Sequence, residues 1–161
     1  MATITVTSRG YIRPARAAHV QHRRFKEEAS QTFVRGAIVI QDATTKDEVE
    51  TAGADPVAGI LGIADEAATG VADTMISVAL AGPDAEFVAH VEDAAATAVG
   101  NLGTNYAVVY DSTNAIWRVD TSDTTNVSVT VTGFWPEDAI GDVNGRVIFK
   151  FMPGACGLSK N

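Results

Sequence analysis

The sequence predicts a mainly β fold, a compact sandwich or barrel of about eight short strands with little helix. Three observations carry it: apolar runs with a period of two, turn clusters of Gly, Pro, Asn and Asp between them, and the lack of any strong helical stripe in the body. The densest example is 59–91. Ile76, Val78 and Leu80 share one face of Met75–Leu80, with Met75, Ser77 and Ala79 on the other. Gly59–Ala64 precedes this run, Gly82-Pro83-Asp84 breaks it, and Glu86–Val91 resumes it. The connections are too short for crossover helices, so antiparallel or mixed pairing is expected.

Before this stretch, Met1–Tyr11 alternates Ile4 and Val6 with threonines, a β-prone segment without an adjacent hairpin partner. Such a strand joins its own sheet or adds to an edge on another chain. Pro14–Ala29 is expected to be helical, with Ala15, Ala18, His22, Phe25 and Ala29 on one stripe. Residues 1–32 therefore read as an arm, 33–152 as the β-rich body and 153–161 as a flexible tail. Phe33–Ile40 opens the body as a strand, with Gly36 marking a bulge, and the polar Gln41–Pro56 reads as a loop.

Asp65–Asp73 connects two strands, and Glu92–Gly103 can form a helical turn or two. Tyr106–Tyr110 and Ile116–Val119 flank a polar turn as a hairpin. Val127–Phe134 alternates, Pro136–Ile140 can make a brief turn, and Asp142–Gly145 is a tight turn before Arg146–Phe151.

A chain of 161 residues suits one domain. No apolar run approaches a membrane span, and Met1–Thr7 has no signal-peptide character, so no membrane partner is expected. One cysteine, Cys156, excludes an internal disulfide and fits folding in a reducing cytosol. The net charge of −8 is divided. Residues 1–30 carry six basic and two acidic groups, a net of +4, while the rest carry six basic and eighteen acidic, a net of −12. An acidic body disfavours nucleic acid as the partner of the whole domain, although the basic leader by itself fits RNA or DNA and an acidic protein surface equally.

Chemistry is sparse. No nucleophile elbow, phosphate loop, zinc-protease helix, Cys-x-x-Cys pair or calcium loop is present. His19 and His22 have helical spacing but no accompanying ligands, and read as solvated rather than metal-binding. Cys156 reads as an incidental thiol, and Asp65-Glu66 and Glu92-Asp93 as carboxylates that solvate a surface. No enzyme activity, cofactor or metal is expected.

The order of leader, FVRGAIVI, polar loop, GILGIADEAATG and MISVALAG resembles the capsid decoration (head-stabilising, or cement) proteins of tailed bacteriophages, of lambda type or related. Gly36, Gly59, Gly62, Ala64, Gly70 and Gly82 stand at the places of that pattern, which covers about 33–91. The resemblance implies a β-tulip-like domain made in the host cytoplasm and bound, without catalysis, to the exterior of the expanded head. It implies the major capsid protein as partner, a homo-trimer on the shell, and an N-terminal arm across neighbouring capsid subunits. Ile4, Val6, Arg9, Tyr11, Arg13 and Arg16 would form that arm contact; Trp117, Phe134 and Trp135 are the candidates for the trimer contact, with burial of a tryptophan in the β core the equal alternative. Two other classes remain open. One is another virion module (tail-tube, head-completion or fibre-associated); the other is a glycan-binding module stacking sugars on Trp117 and Trp135.

Overall fold

In a computed structural model, which describes residues 1–7, 10–92 and 94–160, strand makes up 39% of the chain and helix 5%. The chain is mainly β, as its alternating runs require. Eleven strands are present among the described residues, three more than the eight expected. They are β1 (Arg13–Pro14), β2 (His22–Glu27), β3 (Ile38–Gln41), β4 (Glu48–Thr51), β5 (Ile60–Ala64), β6 (Met75–Leu80), β7 (Phe87–His90), β8 (Asn105–Asp111), β9 (Ile116–Asp120), β10 (Val129–Phe134) and β11 (Arg146–Phe151).

Five strands close a barrel in the order β2-β4-β3-β5-β6, sealed by antiparallel β2–β6 pairing. The β2–β4 pair is parallel and the others are antiparallel. β5 is buried along its whole length, and β6 turns Ile76 and Val78 inward as its alternation demands. The other six strands form a second, all-antiparallel sheet in the order β1-β7-β11-β10-β8-β9. Its far edge curls back, because Glu92 N donates to Val119 O at 2.8 Å. One apolar core runs through both sheets. Phe87, Phe149 and Phe151 form its aromatic centre, with ring centroids 5.4–6.0 Å apart.

Several expectations need correction. Pro14–Ala29 is not helical beyond one 3-10 turn at Ala17–His19; it supplies β1 and β2. In β2, Phe25 and Glu27 point inward while His22, Arg24 and Lys26 point outward, a strand alternation disguised by a buried carboxylate. Glu27 Oε1 and Oε2 accept hydrogen bonds from Gly70 N (2.6 Å), Thr69 N (2.9 Å) and Thr69 Oγ1 (2.8 Å), which satisfies the buried charge. The polar segment 41–56 contains β4, inserted through Val49. Gly82-Pro83-Asp84, which breaks the run as read from sequence, carries the chain from the barrel to the second sheet.

The expected tail is packed at least as far as Leu158: Ile60 N donates to Ala155 O at 2.9 Å, Ala155 and Cys156 are buried, and Leu158 packs against the core. The β8–β9 hairpin and the β10 and β11 strands lie where the alternation places them.

Two glycines show why that residue is needed. At Gly36, φ is +85° and a Cβ would lie 2.5 Å from the Tyr11 Cβ. At Gly62, a Cβ would lie 2.0 Å from the Ala79 carbonyl oxygen, because β5 and β6 meet there with no room for a side chain.

Candidate interaction surfaces

The N-terminal segment lies along its own body, joined among the described residues by a single parallel bridge of Thr3 with Val143. Ala2 N donates to Asp142 Oδ1 (2.8 Å), Val143 N to Ala2 O (2.8 Å), Ile4 N to Val143 O (2.9 Å) and Asn144 Nδ2 to Ile4 O (3.3 Å). Ile4 and Val6 are half-buried against the body, and Thr3, Thr5 and Thr7 face outward. Among the described residues, the backbone N–H and C=O of Thr3 and Thr5 have no partner within the chain. That leaves a free strand edge, the kind of surface to which another strand adds.

Arg9 lies outside the described residues. Beyond it the chain enters the core: Ile12 is 1% exposed and Arg13 pairs with Val88 of β7. Tyr11 packs under Gly36 and carries the Arg35 guanidinium 5.1 Å from its ring centroid. Arg16 is exposed and lies 3.8 Å from Glu86. The five described arm residues thus divide: Ile4 and Val6 sit on the docked N-terminal segment, while Tyr11, Arg13 and Arg16 border the body itself.

Trp135 is half-exposed, with the guanidinium carbons of Arg13 and Arg146 each 5.4 Å from its ring centroid. Asp138 holds Arg146 in a fork, Nε to Oδ2 at 2.9 Å and Nη2 to Oδ1 at 2.6 Å. Burial raises the Asp138 carboxyl, but these bonds outweigh it and hold its pKa below the usual carboxylate range. Phe134 beside it is half-buried.

Trp117 takes the core alternative rather than the interface one: it is 3% exposed and packed against Tyr110 with centroids 5.6 Å apart. Neither a subunit contact nor stacking on a sugar is open to a ring so enclosed. Its edge borders a cleft of about 470 Å³ between the two sheets, which Phe33, Val34 and Tyr110 also line.

His19 and His22 do not form a pair on a helix. His19 ends the 3-10 turn, and His22 Nδ1 lies 2.6 Å from Asp65 Oδ2, which also accepts from Ser77 Oγ at 2.9 Å. His90 is buried, with Nδ1 2.7 Å from Asn144 O. Desolvation pushes its pKa down; the Asn144 bond opposes this, and Arg146 and Arg118 add to it. Arg118 is 1% exposed and is neutralised by Asp111, 2.7 Å away. Alternation does not announce this buried ion pair, because the strand IWRV reads equally well with its arginine outward.

Glu28, Asp42 and Glu50 bring carboxylate oxygens within 4.8 Å of one another. Burial, then the charges of Glu28 and Asp42, raise the Glu50 pKa. Strand β2 also presents Arg23, Arg24 and Lys26 beside Lys46, around a cleft of about 420 Å³. No family model matches the chain, and no curated protein matches it.

Proposed function

We propose that this chain is a non-enzymatic virion structural protein that binds the outer surface of a tailed-phage head and stabilises the expanded shell by bridging major capsid protein subunits. The observation that carries the reading is the resemblance over 33–91, in which four of the five glycines of the pattern, all but Gly82, fall at positions where the backbone favours glycine. Gly36, Gly59 and Gly70 have φ of +85°, +75° and +77°, and Gly62 touches the neighbouring strand.

In this reading the N-terminal segment makes the capsid contact. It stays seated at Asp142–Asn144 and offers the Thr3 and Thr5 edge to a capsid strand, so the contact needs no prior release of the segment. Arg13 and Arg16 lie elsewhere on the body, over Trp135 and beside Glu86, and are the proposed partners of capsid carboxylates. Many copies on one lattice gain by multivalency, and each stabilises the assembled state because it binds that state and not the separated subunits. Phe134 and Trp135 are the proposed contacts of a homo-trimer formed on the shell, with no cofactor, nucleic acid or membrane involved.

The test is binding of purified protein to undecorated expanded heads, compared with a chain lacking residues 1–7. A longer deletion would remove Ile12 and β1 and test folding instead. Saturable binding lost in the short deletion is expected; full binding by the deleted chain overturns the role of the segment.

A further inference from the structure

Strand β2 concentrates positive charge on a protein whose residues beyond 30 carry a net of −12. Arg23, Arg24 and Lys26 line one cleft with Lys46, and Asp47 is the single carboxylate among its lining residues. Asp47 is already engaged: Lys26 Nζ lies 3.1 Å from it and 3.0 Å from Asp73. That ion pair neutralises Lys26 and leaves Arg23, Arg24 and Lys46, none of which has a carboxylate partner among the described residues.

The two guanidinium groups and the turn that carries Lys46 are held in place. Arg24 Nη2 donates to Met75 O at 2.6 Å, fixing the guanidinium while most of its donors stay free. The Arg23 guanidinium lies 5.1 Å from the Phe25 ring centroid. The turn that presents Lys46 is tied by Gln41 Nε2 to Lys46 O and by Asp42 Oδ1, which accepts from Thr44 N and Thr45 N. Such preorganisation lowers the entropy lost on binding. The floor is apolar: Met75 is 41% exposed and Leu158 is half-buried.

We propose that this cleft, bounded by Arg23, Arg24 and Lys46 over Met75, docks an acidic segment of a partner protein, with carboxylates flanking an apolar side chain. Arginine forks suit carboxylates bidentately, and Met75 accepts the intervening side chain. A nucleic acid would meet only about three free cations, too few for strong phosphate binding, and acidic ground around them. The site lies on the barrel, apart from the N-terminal segment. Its chemistry stands on the cleft alone; only the identity of the partner, a capsid subunit, rests on the reading of function above.

The experiment measures fluorescence anisotropy of two labelled probes, a peptide of repeated Asp-Leu-Glu and a twelve-nucleotide single-stranded DNA. The full chain is compared with the triple variant R23Q/R24Q/K46Q and with M75E, and each variant's melting curve is checked. Expected are peptide binding that weakens at least tenfold in both variants at unchanged melting, and peptide preferred over DNA. No peptide binding by the full chain, equal binding by the triple variant, or preference for DNA overturns the proposal. Heads are tested in parallel. Peptide binding without head binding refutes the capsid reading and leaves the cleft standing, whereas head binding equal in wild type and triple variant, without peptide binding, refutes the cleft alone.

Discussion

Replacing Gly62 by alanine puts a methyl group 2.0 Å from the Ala79 carbonyl oxygen, 2.9 Å from its carbon and 3.0 Å from Ala81 N. All three obstacles are backbone atoms, so no side chain can swing aside. Relief to 3.0 Å demands a shift of 1.0 Å between β5 and β6, which are hydrogen-bonded at this point through Ala81 N and Leu61 O, 2.8 Å apart. Overpacking of this kind costs about 1–3 kcal/mol, and weakening one buried backbone bond adds about 1 kcal/mol. A total near 3 kcal/mol, at about 3 °C per kcal/mol for a chain of this size, lowers Tm by about 9 °C. Gly59→Ala is the control, because nothing lies within 4 Å of its Cβ and only the φ of +75° is strained; its cost is about 1 kcal/mol. Thermal unfolding by circular dichroism measures both. A Gly62→Ala protein melting within 2 °C of wild type, or no lower than Gly59→Ala, would show that the barrel does not close as described.

Other predictions rest on different contacts. Glu27→Gln turns an amide toward donors that a carboxylate satisfies, and should destabilise by about 2–3 kcal/mol in urea titration. Because burial lowers the His90 pKa, the unfolded state binds the extra proton: the stability this contributes is present above the ordinary imidazole value of about 6.5 and is lost as pH falls below it. Glu48, Glu50 and Glu92, with raised values, act oppositely above their ordinary range, so the wild-type minus His90→Gln difference isolates the histidine. That difference should shrink from pH 7 to pH 5; a flat difference refutes the assignment. Trp135→Ala removes two exposed cation–π contacts worth about 0.5–1 kcal/mol each. It should lower Tm by about 3–6 °C, leaving the chain folded, while reducing trimer formation on heads, seen by crosslinking.

Strands with one clean apolar face were legible from sequence. Met75–Leu80, Val129–Phe134 and Arg146–Phe151 alternate because one side meets the core, and the β8–β9 hairpin is announced by Asp111 and Asn114, whose side chains cap the turn. Strands β2 and β4 were not legible. Their inward positions include Glu27, whose burial is compensated only by Thr69 and Gly70 far along the chain, and a single Val49. The helical spacing noticed in 14–29 came from alanines that have no core to face. Site residues suffered likewise. That Trp135 lies between Arg13 and Arg146, or that Trp117 is enclosed, depends on sheet order, which local periodicity does not encode. The basic run at Arg23-Arg24 was visible, but its organisation with Lys46 and Met75 arises only when β2 closes the barrel.

The most direct measurement is co-sedimentation of the purified chain with undecorated expanded heads over a range of protein concentrations. Saturable binding at a fixed number of copies per head, together with a higher temperature of head rupture, is the predicted result. Full-length protein that stays in the supernatant at every concentration would contradict the account.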